Sequence, residues 1–184
     1  MDRLPANPQP IKIAVLAMGG EGGGVLADWI VSLGEHNGHI AQTTSVPGVA
    51  QRTGATIYYV ELFPRAAADA AGAAPVLALM PLTGDVDVVL ASELMEAGRA
   101  VQRGLVTPDR TTLVASTHRV YAIAEKIAMG DGRADADETL RRRARARQQF
   151  TRIGALAGTG VLPFSREQFE ATISRGGVGV KASL

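Results

Sequence analysis

The chain has 184 residues, 46% of them apolar, 20% charged and only 4% aromatic, with a formal net charge of +1. That length suits one domain with a core of Ala, Val, Leu and Ile, and the near-neutral balance gives no bulk attraction to nucleic acid or to an anionic membrane. Cysteine is absent, which excludes disulfides, thiolate nucleophiles and cysteine-ligated zinc or iron–sulfur clusters on this chain.

No run of about 18 apolar residues is present, so no membrane span is expected. The opening MDRLPANPQP lacks the apolar region of a signal peptide, and its prolines predict an extended lead-in over residues 1–10. The expected location is the cytoplasm. Ile11 to Ala17 (IKIAVLA) reads as a buried strand, followed by a helix from Gly24 to His36 in which Val25, Leu26, Trp29, Ile30 and Leu33 keep a 3–4 spacing. Asn37-Gly38 ends it. His39 to Thr44 and Ala55 to Leu62 are predicted strands, joined by the turn-rich SVPGVAQRTG. After an Ala-rich stretch at 66–74, PVLALMPL (75–82) is predicted as a further strand.

The second half repeats the alternation. Val86 to Ala91 is a predicted strand, Glu93 to Arg103 a helix and Thr111 to Ser116 a strand. Tyr121 to Ala128 can start a helix, and the basic run ETLRRRARARQQF gives an Arg-rich helical segment within 130–150. Acids before that run and arginines along it complement a helix dipole, so a solvated or partner-facing helix is expected rather than a nucleic-acid reader. The whole chain, 1–184, is expected to form one α/β domain: Rossmann-like, three-layered, with a mostly parallel sheet and helices on both faces.

Within MGGEGGGVLA, Gly22, Gly24 and Ala27 satisfy G-x-G-x-x-A between a strand and a helix, the setting of a dinucleotide cradle. Glu21 argues against that use, because its carboxylate would repel a pyrophosphate. About 20 residues on, where an acid should hold the ribose, stand Ala41, Gln42, Thr43 and Thr44. A purely structural reading makes the glycines a tight turn. In the next loop, Gln51, Arg52, Thr53 and Gly54 offer an amide, a guanidinium and a hydroxyl; Arg52 either takes a carboxylate or phosphate, or pairs with an acid of protein origin. Ser92 reads as the N-cap of the helix that follows, with a site role open because strand C-termini line ligand crevices. Ser116, Thr117, His118 and Arg119 form a polar strand end, and His118 reads as a surface or cap residue.

A strand followed by MGGEGGGVLA, then SVPGVAQRTGAT, then DVVLASELMEAGRA, resembles the gamma domain of 2-oxoacid:ferredoxin oxidoreductases, most closely that of the indolepyruvate enzyme's beta subunit; GALAGTGVLPFSREQFEATI matches as well. The resemblance spans most of residues 11–184, although the family pattern has a longer segment between ARARQQF and TRIGALAGTG and continues past GGVGVKASL. It implies oxidative decarboxylation of aryl-2-oxoacids such as indolepyruvate to an acyl-CoA, with electrons passing to ferredoxin. Thiamine diphosphate, Mg and iron–sulfur clusters then belong to a large alpha partner, with CoA as co-substrate; this chain would hold none of them, would carry no catalytic residue or metal site, and would be inactive alone. The glycine turn carries over as Gly19, Gly20, Glu21, Gly22 and Gly23, where the family usually has Gln at the position of Glu21. Pro47, Gly48, Gln51, Arg52 and Gly54 carry over as an interface or substrate-side loop, and Ser92 with Glu93 as a strand-end pair. The alternative is a free-standing Rossmann-like, nucleotide-dependent oxidoreductase using the same glycines.

Overall fold

The computed structural model describes residues 8–47, 55–116, 118, 127–130, 147–148 and 153–176. Numbered in chain order, the elements are β1 (Ile11–Met18), α1 (Gly23–His36), β2 (His39–Val46), β3 (Ala55–Pro64), α2 (Arg65–Ala71), β4 (Val88–Ala91), α3 (Leu94–Gln102), β5 (Thr112–Ala115), β6 (Arg147–Gln148), α4 (Ile153–Thr159) and α5 (Arg166–Arg175). The strands form one sheet in the order β2-β3-β1-β4-β5-β6. β1, β4, β5 and β6 pair in parallel, whereas β3 is antiparallel to both its neighbours. β2 therefore points the same way as β1, and β3 alone runs against the rest.

Strand alternation divides the core between the two faces of the sheet. Ile13 and Val15 of β1 pack with Ala27, Ile30 and Leu33 of α1, and with Leu156, Phe169 and Ile173 of the last two helices. Ala14 and Leu16 point the other way, onto Ala97, Ala100 and Val101 of α3. Ser165 and Gln168 close a reciprocal capping box at the start of α5. Gln168 also donates to Asn37 Oδ1 at 2.5 Å, tying that helix to the end of α1.

At the N-terminal end of the parallel pair, Lys12 and Asp87 exchange backbone and side-chain bonds: Lys12 N–H donates to Asp87 Oδ2 at 2.8 Å and Asp87 N–H to Lys12 O at 2.9 Å. The Lys12 ammonium bonds Asp85, and Arg110 reaches both Asp85 (2.5 Å) and Asp87 (2.9 Å). The Lys12 ammonium, together with the Arg110 guanidinium, holds the Asp85 carboxyl below the usual range.

Three sequence expectations need correction. PVLALMPL is not a strand but an irregular strap; its run of apolar residues lacks the period-2 burial of a strand, and side chains of β2 and β3 already occupy its backbone groups. Residues 147–148, expected within a helix, pair as a short strand with Val114 and Ala115, because the outer ladder of β5 has free groups there. The N-cap of α3 is Glu93, not Ser92. Most of the expected 121–128 helix, the rest of the Arg-rich segment and residues 1–7 of the lead lie outside the described residues. Among the described residues no helix is long and apolar enough to cross a membrane.

Candidate functional site

The connection after β1 goes to one face of the sheet and the connection after β4 to the other. In an open α/β sheet such neighbours leave a crevice at their C-terminal ends. The glycine turn stands at this point. Glu21 N–H donates to Met18 O at 3.1 Å, closing the turn. Gly22, with φ +77, caps α1 without a side-chain bond, and no acid occupies the first helical turn. Gly19, Gly20, Glu21 and Gly22 are exposed.

Gly23 differs from them. It is buried, and a Cβ there would lie 2.5 Å from Ala17 Cβ and 2.8 Å from the Tyr58 ring. This glycine permits close packing of α1 on β1 and β3.

The Glu21 carboxylate accepts from Met18 N–H at 3.0 Å and from the Ser92 hydroxyl. Ser92 N–H in turn donates to Leu16 O at 2.9 Å, extending the β1–β4 ladder by one residue. Two motifs 71 residues apart are thus joined by a direct side-chain bond across the mouth of the crevice. Glu93 takes no part in that bond. It is buried, and its two oxygens accept from Met95 N–H (2.8 Å) and Glu96 N–H (2.6 Å), which places a carboxylate where the α3 dipole favours it.

Glu96 is buried beside it and bonds Arg99. Burial raises its carboxyl above the usual range, with the Arg99 charge opposing and Glu93 assisting. After β5, Ser116 is buried and accepts from His118 N–H at 3.1 Å, while His118 O accepts from Leu94 N–H at 2.8 Å. The His118 side chain is exposed. Sequence reasoning did not anticipate Ser116 as a support for this end of α3.

Pro47 ends β2 and is exposed; Gly48, Gln51, Arg52 and Gly54 lie outside the described residues. The strands flanking them reach the same edge, since Met18 pairs with Ala55 and Val46 with Ile57. Among the described residues no three His, Asp or Glu side chains cluster to hold a metal ion.

The strand order bears on the dinucleotide alternative. A ribose-holding acid belongs at the end of a strand directly beside β1. Here β3 stands between β1 and β2, which puts the β2 end two strand spacings from the glycine turn, about 10 Å. Gln42 and Thr44 of β2 are moreover bonded to the strap, at Ala78 O and Leu79 O.

No protein-family model matches the sequence, and neither does any curated protein. Solved structures do match. Pyruvate oxidoreductase subunit PORC from Thermotoga maritima is 16% identical over 90% of this chain and 84% of that one, with a TM-score of 0.52. The 2-oxoglutarate:ferredoxin oxidoreductase of Magnetococcus marinus gives a TM-score of 0.59 at 15% identity, over 97% of this chain and 28% of that one. The chain shares its fold with 2-oxoacid oxidoreductase subunits. In the Thermotoga protein that fold fills most of a small chain; in the Magnetococcus protein it is about a quarter of a longer one.

Proposed function

We propose that this chain is the small, gamma-type subunit of a 2-oxoacid:ferredoxin oxidoreductase, with aryl-2-oxoacids such as indolepyruvate as substrates. In that reaction the substrate carboxylate leaves as CO2, the acyl group joins the thiol of CoA, and two electrons pass to ferredoxin. Thiamine diphosphate, Mg and the iron–sulfur clusters reside on a large partner; a chain without cysteine has no thiolates to ligate such clusters.

The observation that carries the reading is the bond between Glu21 and Ser92. It joins two of the three motifs on which the resemblance rests, at the crevice between β1 and β4, on a fold shared with oxidoreductase subunits. The third motif is flanked by strands that end at the same edge. The role assigned to this edge is positional. Glu21, held by Met18 and Ser92, presents the glycine turn as a fixed surface toward the partner, and the Pro47–Gly54 loop with Arg52 offers a guanidinium fork to a carboxylate on substrate or partner.

The test is recovery of the tagged chain from its source cells, followed by assay for dye reduction that requires both CoA and a 2-oxoacid. Retention of a large subunit with iron–sulfur absorbance, most active with indolepyruvate, supports the whole reading. Activity with pyruvate or 2-oxoglutarate alone would remove the aryl specificity. Absence of any such partner would overturn the reading.

A further inference from the structure

Between α2 and β4 the strap 75–82 crosses the β2–β3 half of the sheet on the same face as α3. Its backbone is fastened from beneath. Gln42 donates to Ala78 O at 3.0 Å, Thr44 to Leu79 O at 2.6 Å, and Ala78 N–H donates to Glu61 Oε2 at 2.9 Å. Glu61 is itself only 2% exposed, and its other oxygen accepts from the buried Tyr59 hydroxyl at 2.6 Å. A satisfied buried network of this kind fixes one conformation.

The side chains of the strap turn the other way. Val76 is 99% exposed, Leu79 68%, Met80 56% and Leu82 62%. No charged residue occurs from Ala70 to Gly84.

We propose that these four side chains dock the large subunit of the oxidoreductase, an inference that rests on the reading of the chain as its small subunit. Four exposed apolar side chains on a backbone already fixed by buried bonds have the composition of an interface core, and they need little further ordering on contact. A segment without cations has nothing to offer a phosphate backbone or an anionic lipid surface. Strand addition from a partner is disfavoured where the backbone groups of Ala78 and Leu79 are already engaged. What remains is contact through side chains with a neutral, apolar protein surface. The occupant follows from the comparison in which this fold is 28% of a longer chain: there it is covalently part of a larger body, whereas a separate small chain must be held by contact alone.

The test compares the tagged wild-type chain with the double variant Val76→Asp/Leu79→Asp. The readout is the amount of large subunit recovered, identified by iron–sulfur absorbance and 2-oxoacid-dependent dye reduction. Recovery should fall about tenfold or more with an unchanged melting temperature, since neither side chain is buried. If the double variant melts early, the single change Leu79→Ser is read in the same assay. Equal recovery by a folded variant overturns the inference and leaves the subunit reading standing. A wild-type chain that recovers no such partner overturns both. A free chain that is dimeric by light scattering, and made monomeric by the variant, would assign the strap to self-association and overturn the inference.

Discussion

The two ends of the β1–β4 pair are built on opposite principles. At the N-terminal end Lys12, Asp85, Asp87 and Arg110 bond one another. At the C-terminal end the same strands open into exposed glycines, spanned by the bond between Glu21 and Ser92. The first arrangement satisfies itself and offers nothing to a ligand or partner. The second keeps a short, defined surface at the place where an open α/β sheet binds what it acts on. The charged network is thus a device of stability, and the sparse turn is the functional edge.

Substitutions at the two ends should separate these roles. The largest loss of stability is expected from Gly23→Ala, whose new Cβ meets Ala17 Cβ and a packed Tyr58 ring; about 2 kcal/mol should disappear in urea unfolding. A Gly23→Ala protein of full stability would mean that this glycine is kept for ligand approach instead.

Asp85→Asn at the opposite end should cost less, about 0.5 kcal/mol, because the pair is partly exposed. The Asp85 carboxyl is held below its ordinary value in the folded state, so its contribution is present above the unfolded carboxyl pKa of about 3.9 and is lost as pH falls from there through the lower folded value. Wild-type stability should therefore drop more steeply than that of Asp85→Asn across this acid window, in paired thermal melts, while complex activity at neutral pH stays unchanged. A matching acid slope in the variant would show that the network does not act as described.

Ser92→Ala should be the mildest for stability, within about 0.5 kcal/mol for an exposed bond. It should nevertheless lower the 2-oxoacid-dependent rate of the assembled complex, as should Arg52→Ala. Both variants at full rate would move the functional edge elsewhere.

The parallel core was legible because β-branched runs such as IKIAVLA alternate with amphipathic helical spacing, and each is fixed by local chemistry. The antiparallel insertion of β3 between β1 and β2 was not, since strand order depends on which edges pair and a single sequence does not encode that locally. The strap was misread for a related reason: an apolar run of eight residues suits a buried strand, and only the distant Gln42, Thr44 and Glu61 determine otherwise. Glu93 took the cap from Ser92 because its longer carboxylate reaches two N–H groups while Ser92 turns to Glu21. The Ser165–Gln168 capping box, by contrast, was available in the S-x-x-Q spacing and went unread.

The most direct test of the central claim is reconstitution. The large subunit, separated from this chain, is assayed for CoA-dependent dye reduction with indolepyruvate before and after the chain is added back. The account predicts little turnover from either component alone and restored turnover at equimolar mixing. Full turnover by the large subunit without this chain would contradict it.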